Sequence, residues 1–156
     1  MKLIKTSKKQ VLIELNAAEK FIIGELLGRY PILPPDHFKL SKCGDFEDME
    51  EDEAFLHETL SDEQKANVKE IQRFLTDEKS VKQVGDNFQV RLKREQIEWL
   101  LQIVNDIRVG SWAILGQPDE LEEVDGIGDD PVKSSYAFAM EISTVVQSIL
   151  LASLER

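Results

Sequence analysis

The side chains best able to bind or react are concentrated in one short motif, Asn105-Asp106-Ile107-Arg108, with Trp112 one helical turn beyond it. An amide, a carboxylate and a guanidinium this close could hold an anionic ligand or a peptide terminus, the guanidinium as a bidentate clamp and the other two as orienting groups. The same residues could instead be structural. On a helix that turns ~100° per residue, Arg108 falls within an arc of aliphatic side chains, between Leu101 and Leu115, while Asp106 lies nearly opposite. A guanidinium stays charged, so Arg108 must reach water or be answered from another segment, with Glu19, Glu25 and Glu141 as candidate partners. Trp99 and Trp112 read as core or interface anchors rather than cofactor platforms.

No metal or cofactor is expected. His37, Cys43 and His57 are three soft ligands with no locally spaced pair. Asp125-Gly126-Ile127-Gly128-Asp129-Asp130 lacks the alternating oxygen ligands and closing glutamate of a calcium loop, and reads as a solvated glycine turn. No glycine-rich phosphate cradle follows a strand, and there is no Gly-x-Ser-x-Gly elbow and no Cys-x-x-Cys. With two histidines, both in the loop-like acidic half, a His-centred catalytic apparatus is not expected, and the chain reads as a non-enzymatic regulatory interaction module, with an enzyme or anion-binding protein using Asn105, Asp106 and Arg108 as the alternative.

Charge narrows the partners. The formal net charge of −11 argues against nucleic acid. Residues 1 to 44 carry eight basic against four acidic side chains, whereas residues 45 to 63 carry ten acidic side chains and no lysine or arginine. A second acidic block spans residues 117 to 130. Such blocks either fold over the protein's own basic faces or are offered to a basic partner. The first is expected to be an acidic, partly mobile insert around residues 45 to 60, with Phe46, Met49, Phe55 and Leu56 as a contact surface for a protein partner. One cysteine, no charged-apolar-small leader and apolar runs short of the ~20 residues of a membrane span point to a cytoplasmic protein that does not enter a membrane.

The elements that position these residues follow from period and punctuation. Lys2 to Thr6 and Gln10 to Leu15 read as strands joined by a turn at Ser7-Lys8-Lys9. Asn16 with Glu19 predicts a capping box, and Tyr30-Pro31 closes that helix. Ser61 with Gln64 predicts a second helix start, running to about Thr76. Gly85-Asp86-Asn87 is a turn and Phe88 to Leu92 a strand, which could pair with Val11 to Leu15 so that Glu14 and Arg91 face one another. The central helix runs from Arg94 to Leu115 and ends at Gly116 and Pro118. Asp130-Pro131 opens the last helix, whose core face is expected to be Phe138, Ile142, Val145, Val146, Ile149 and Leu150. So much apolar surface places that helix at the centre of the fold or in a homo-oligomer interface. The fold expected is a single domain over residues 1 to 156, mainly α, a helical bundle with a small antiparallel sheet at one edge.

The opening Val11-Leu12-Ile13-Glu14-Leu15-Asn16-Ala17-Ala18-Glu19, the later Trp99-Leu100 and Asn105-Asp106-Ile107-Arg108, and the ending Leu115-Gly116 together resemble an uncharacterised bacterial family, the domain of unknown function numbered 2017. The resemblance covers most of the chain outside the acidic insert. The chain departs from the family's pattern in having Trp112 where a glycine is usual and Ile114 where a second arginine is usual. What the resemblance implies is a small helical cytoplasmic protein, encoded in some genomes near an adaptor of regulated proteolysis, with no established activity or cofactor.

Overall fold

The computed structural model describes residues 1–37 and 46–155, without the side chains of residues 46–49. Cys43 and the side chains of Phe46 and Met49, the latter two assigned above to the interaction surface, lie outside the described residues. Strands β1 (Lys2–Thr6) and β2 (Gln10–Asn16) lead into helix α1 (Ala17–Gly28). Helix α2 (Phe46–Thr76) is followed by the hairpin β3 (Val81–Val84) and β4 (Asn87–Lys93). Helices α3 (Arg94–Ile114) and α4 (Pro131–Leu154) complete the chain. The fold is mainly α with a four-stranded antiparallel sheet in the order β1-β2-β4-β3, as the sequence predicts.

Period-two patterning sets the sheet. Val11, Ile13 and Leu15 alternate inward on β2, and Val90 and Leu92 do so on β4, so one face buries five aliphatic side chains against the helices. The two strand-helix units pair as expected, but Arg91 stands opposite Leu12 and Glu14 opposite Gln89, so Glu14 and Arg91 are diagonal rather than facing. β3 escapes sequence reading because Val81-Lys82-Gln83-Val84 offers only two apolar residues. Its turn was legible: Gly85 takes φ +63°, where a side chain is strained.

Caps do as much for the helices. Asn16 Oδ1 accepts from the Glu19 amide and Glu19 Oε2 from the Asn16 amide, each at 2.8 Å, closing the predicted capping box. Asp130 Oδ1 accepts from the amides of Val132 (2.9 Å) and Lys133 (3.4 Å) ahead of Pro131. β4 runs directly into α3, where the Lys93 amide donates to Gln96 Oε1 at 2.9 Å.

Three sequence expectations give way. Ser61 does not start a helix. It lies inside α2, which continues for 31 residues from Phe46, and the Gln64 amide instead donates to the Leu33 carbonyl at 2.9 Å. No glycine or proline interrupts residues 46–76, and glutamates near its start complement the positive end of the helix, so charge repulsion does not break it. Residues 46 to 60 of the acidic insert are helical and make up the first half of α2.

The core face of α4 also differs from expectation. Ala137, Ala139, Ser143, Val146, Leu150 and Ser153 are buried, whereas Phe138, Val145 and Leu151 are more than half exposed. α4 packs chiefly on α3. Small residues let the two backbones approach, and the Ser111 and Ser153 hydroxyls donate to carbonyls of their own helices (Ile107, 2.7 Å; Leu150, 2.6 Å), so neither is left unsatisfied. Finally, α4 is long and apolar enough to cross a membrane by length and composition, with a mean hydropathy of 1.6 over its most apolar stretch. Interspersed alanine, serine and threonine hide this in a search for unbroken apolar runs. Its buried face is nevertheless part of the core formed with α3 and the sheet.

Gly110 shows how closely the connector after α1 lies on α3. A Cβ there would come within 2.8 Å of the Ile32 Cβ, an atom fixed near the backbone. Replacing glycine by alanine in a helix interior ordinarily gains about 1 kcal/mol. Here overpacking dominates, and Gly110→Ala should lower stability by about 1–3 kcal/mol in urea denaturation.

Candidate functional site

α3 presents three different environments within four residues. Ile103, Val104 and Ile107 are buried in the core. Asn105 and Arg108 turn towards α4: Asn105 Oδ1 accepts from Arg108 Nη2 at 3.2 Å and from Gln147 Nε2 at 3.3 Å. Asp106 points the other way, into a cleft between α2, α3 and the connector at residues 30–33. Trp112 lies elsewhere again, donating from Nε1 to the Pro118 carbonyl at 2.9 Å and so tying the end of α3 to the turn at Gly116 and Gln117. The four residues singled out from sequence therefore do not form one site.

Arg108 is half-buried and, among the described residues, makes no ion pair. The expected partnership with Glu19, Glu25 or Glu141 is absent, and Glu19 pairs with the Met1 ammonium. The Arg108 Nε–H is buried with no acceptor. The motif thus satisfies part of a guanidinium with a neutral amide on its own helix, the three-residue spacing placing both on one face.

The cleft has a volume of about 270 Å³. Its walls are apolar, from Pro31, Leu33, Leu60 and Val109, and its polar rim is Glu63, Gln102 and Asp106. Gln102 Nε2 donates to Glu63 Oε1 at 3.2 Å, which orients that carboxylate. Asp106 is open to solvent on one side and packed on the other. That packing first, and the nearby Glu63 carboxylate second, raise its pKa above the ordinary aspartate value. Behind them Trp99 Nε1 donates to Asn67 Oδ1 (3.1 Å), and Asn67 Nδ2 donates to the buried Tyr30 hydroxyl (3.0 Å). Burial, together with Asp106 and Glu63, raises the Tyr30 pKa, so the phenol stays protonated and serves as a hydrogen-bonding group rather than a base.

Tyr30, Glu63, Asn67 and Gln102 were not legible as a site. Tyr30 read only as a helix end and Glu63 as one of a run of acids, and Asn67 and Gln102 carry no signal of their own; nothing local signals that residues 30, 63 and 106 converge. Phe55 is 72% exposed and Leu56 partly buried. No residue between 50 and 60 is buried. Among the described residues no ion pair joins either acidic block to the rest of the protein. No family model, no curated protein and no solved structure matches this chain.

Two predictions follow from these geometries. With no carboxylate to orphan, Arg108→Met should leave the denaturation midpoint nearly unchanged and Arg108→Ala should cost under about 1 kcal/mol, against the 3–5 kcal/mol of a broken buried pair. For Asp106, a folded pKa above the unfolded one favours folding at low pH, and that contribution is lost as pH rises through the folded pKa. Asp106→Asn should therefore raise the urea midpoint at pH 7, and the gain should vanish below the unfolded carboxylate pKa of about 3.9.

Proposed function

We propose that the protein is a non-enzymatic interaction module that binds a basic segment of another protein along the acidic half of α2, with one lysine or arginine side chain entering the cleft. The observation that carries this reading is the pair Glu63 and Asp106: two carboxylates at the rim of an apolar-walled cleft, with no ion-paired cation among the described residues. A long basic side chain has the matching chemistry, an aliphatic stem for Pro31, Leu33 and Val109 and a cationic head for the two acids. The α2 surface supports the same class of partner. Residues 50 to 63 hold seven acidic side chains and no lysine or arginine, and Phe55 supplies an exposed aromatic anchor beside them. Binding of a cation next to Asp106 favours its ionised form, so affinity should fall as pH drops through the acid range.

A fluorescently labelled peptide of alternating arginine and leucine, titrated at rising salt, is the direct probe. Binding should weaken steeply with ionic strength. Glu63→Gln with Asp106→Asn should weaken it at least about tenfold, about 1.4 kcal/mol, whereas Glu122→Gln with Glu123→Gln, which removes the same charge elsewhere, should not. Phe55→Ser separates this reading from a purely electrostatic sequestering role: a loss of affinity supports an anchored interface, and no change supports sequestration by charge alone. Equal losses from the two charge pairs would overturn the cleft as the recognition site.

A second contact surface is favoured by a separate observation. Phe21 on α1 and Phe138 and Val145 on α4 are 68%, 51% and 53% exposed, and Phe21 and Phe138 line one groove. Between Lys133 and Glu155, α4 carries a single charge, Glu141. For a chain of net charge −11, this is where a second copy can approach without bringing acid against acid. Light scattering should give a dimer mass at micromolar concentration, and Phe138→Glu should return the monomer with unchanged helicity.

A further inference from the structure

Beneath α1 the core opens towards the surface as an apolar pocket. A cavity of about 90 Å³ lies between the inner face of the sheet and the four helices, walled by side chains such as Leu15, Val90, Leu100, Val104, Val146 and Leu150. A single water needs about 10–15 Å³ of such space and two to four polar partners. The space here is ample, but the aliphatic walls provide no partners, so water is not its natural occupant. Voids of this size are few in natural cores because their lining atoms lose contacts on one side.

Two residues on α1 mark the way in. Gly24 lines the cavity from the middle of the helix, a position where glycine is disfavoured. No neighbour demands that glycine: a Cβ at Gly24 would meet nothing within 4 Å. This contrasts with Gly110, whose missing side chain is required by Ile32. One turn before Gly24, Lys20 is exposed and, among the described residues, is the one charged side chain of the lining; Met1 also lines the cavity, but its ammonium is paired with Glu19. Its ammonium rests over the Phe88 ring, 4.2 Å from the centroid. The neighbouring acid, Glu19, is taken by the Met1 ammonium and the Asn16 amide, which leaves Lys20 the unneutralised charge at this edge.

We infer that this cavity is a binding site for a short-chain aliphatic carboxylate, its chain in the aliphatic cavity and its head group at Lys20. By proportion to the 150 Å³ cavity that accepts the six carbons of benzene, the volume suits about four buried carbons. The open position at Gly24 leaves the remaining carbons a path to the surface beside the lysine. This site is separate from the acidic cleft on α2 and α3 and takes a ligand of opposite charge.

Hexanoate is the probe, followed by methyl resonances of Leu100, Val104 and Val146, with hexanol as the uncharged control. Saturable shifts at millimolar hexanoate are expected. Gly24→Leu fills the entrance with a good helix former, so it should abolish the shifts while the thermal midpoint stays equal or rises. Lys20→Met should weaken hexanoate about tenfold and leave hexanol unchanged. The inference is overturned if hexanoate gives no saturable shift, or if its shifts survive Gly24→Leu in a protein whose fold is intact. Equal affinity for hexanol and hexanoate, unaltered by Lys20→Met, would overturn the carboxylate as the ligand class.

Discussion

Helices α3 and α4 share the most extensive contact in the fold, and the buried face of α4 consists largely of residues no bigger than valine. Close approach of two backbones gains dispersion contacts along the whole interface, but it leaves no room on the shared face for large side chains. The large apolar residues of α4 must then go elsewhere. Val146 and Leu150 reach into the main core with the sheet and α1, while Phe138, Val145 and Leu151 are turned outward. The exposed stripe on α4 is thus a consequence of how tightly α3 is held, rather than an independent feature.

Because α3 is enclosed by the sheet, α4 and the connector after α1, successive residues on it see different surroundings. Asn105 joins Arg108 of its own helix to Gln147 of α4, and Asp106 lies near Glu63 of α2. A motif that looks like one constellation in the sequence is divided by the helix into two, with the core residues Val104 and Ile107 between them. The Gly110–Ile32 contact adds the third wall, since it sets the connector against α3 and so shapes the cleft into which Asp106 points.

What was legible in the sequence was local. Asn16 and Glu19, Asp130 and Pro131, and the glycine at 116 act within a few residues of the helix ends they define, and each is where its type and spacing placed it. The alternation in β2 and β4 likewise carries its own evidence of a buried face. The α4 core face was misjudged because size was taken as the measure of burial, whereas close helix contact selects Ala139 and Ser143 over Phe138. The start of α2 was misplaced because Ser61 and Gln64 form a valid capping pattern that the uninterrupted helix on either side overrides. The cleft was invisible for a different reason: its members come from residues about 30 to 40 positions apart, and no periodicity links them.

The distribution of charge bears most directly on function. Among the described residues neither Arg108 nor Asp106 forms an ion pair, although they are two residues apart on one helix. The helix itself keeps them apart, because two steps turn a side chain by roughly 200°. Neutral amides stand beside both groups instead: Gln147 of α4 donates to Asn105, which accepts from Arg108, and Gln102 of α3 donates to Glu63, the carboxylate nearest Asp106. Neutral amides can orient a charged group without cancelling its field. Glu63 and Asp106 therefore remain available, and the pKa of Asp106 is raised first by its burial and second by the neighbouring Glu63 carboxylate. A cation arriving from outside would relieve both the repulsion and the lost hydration, and it would do so only in a site whose amides had left the charge uncompensated.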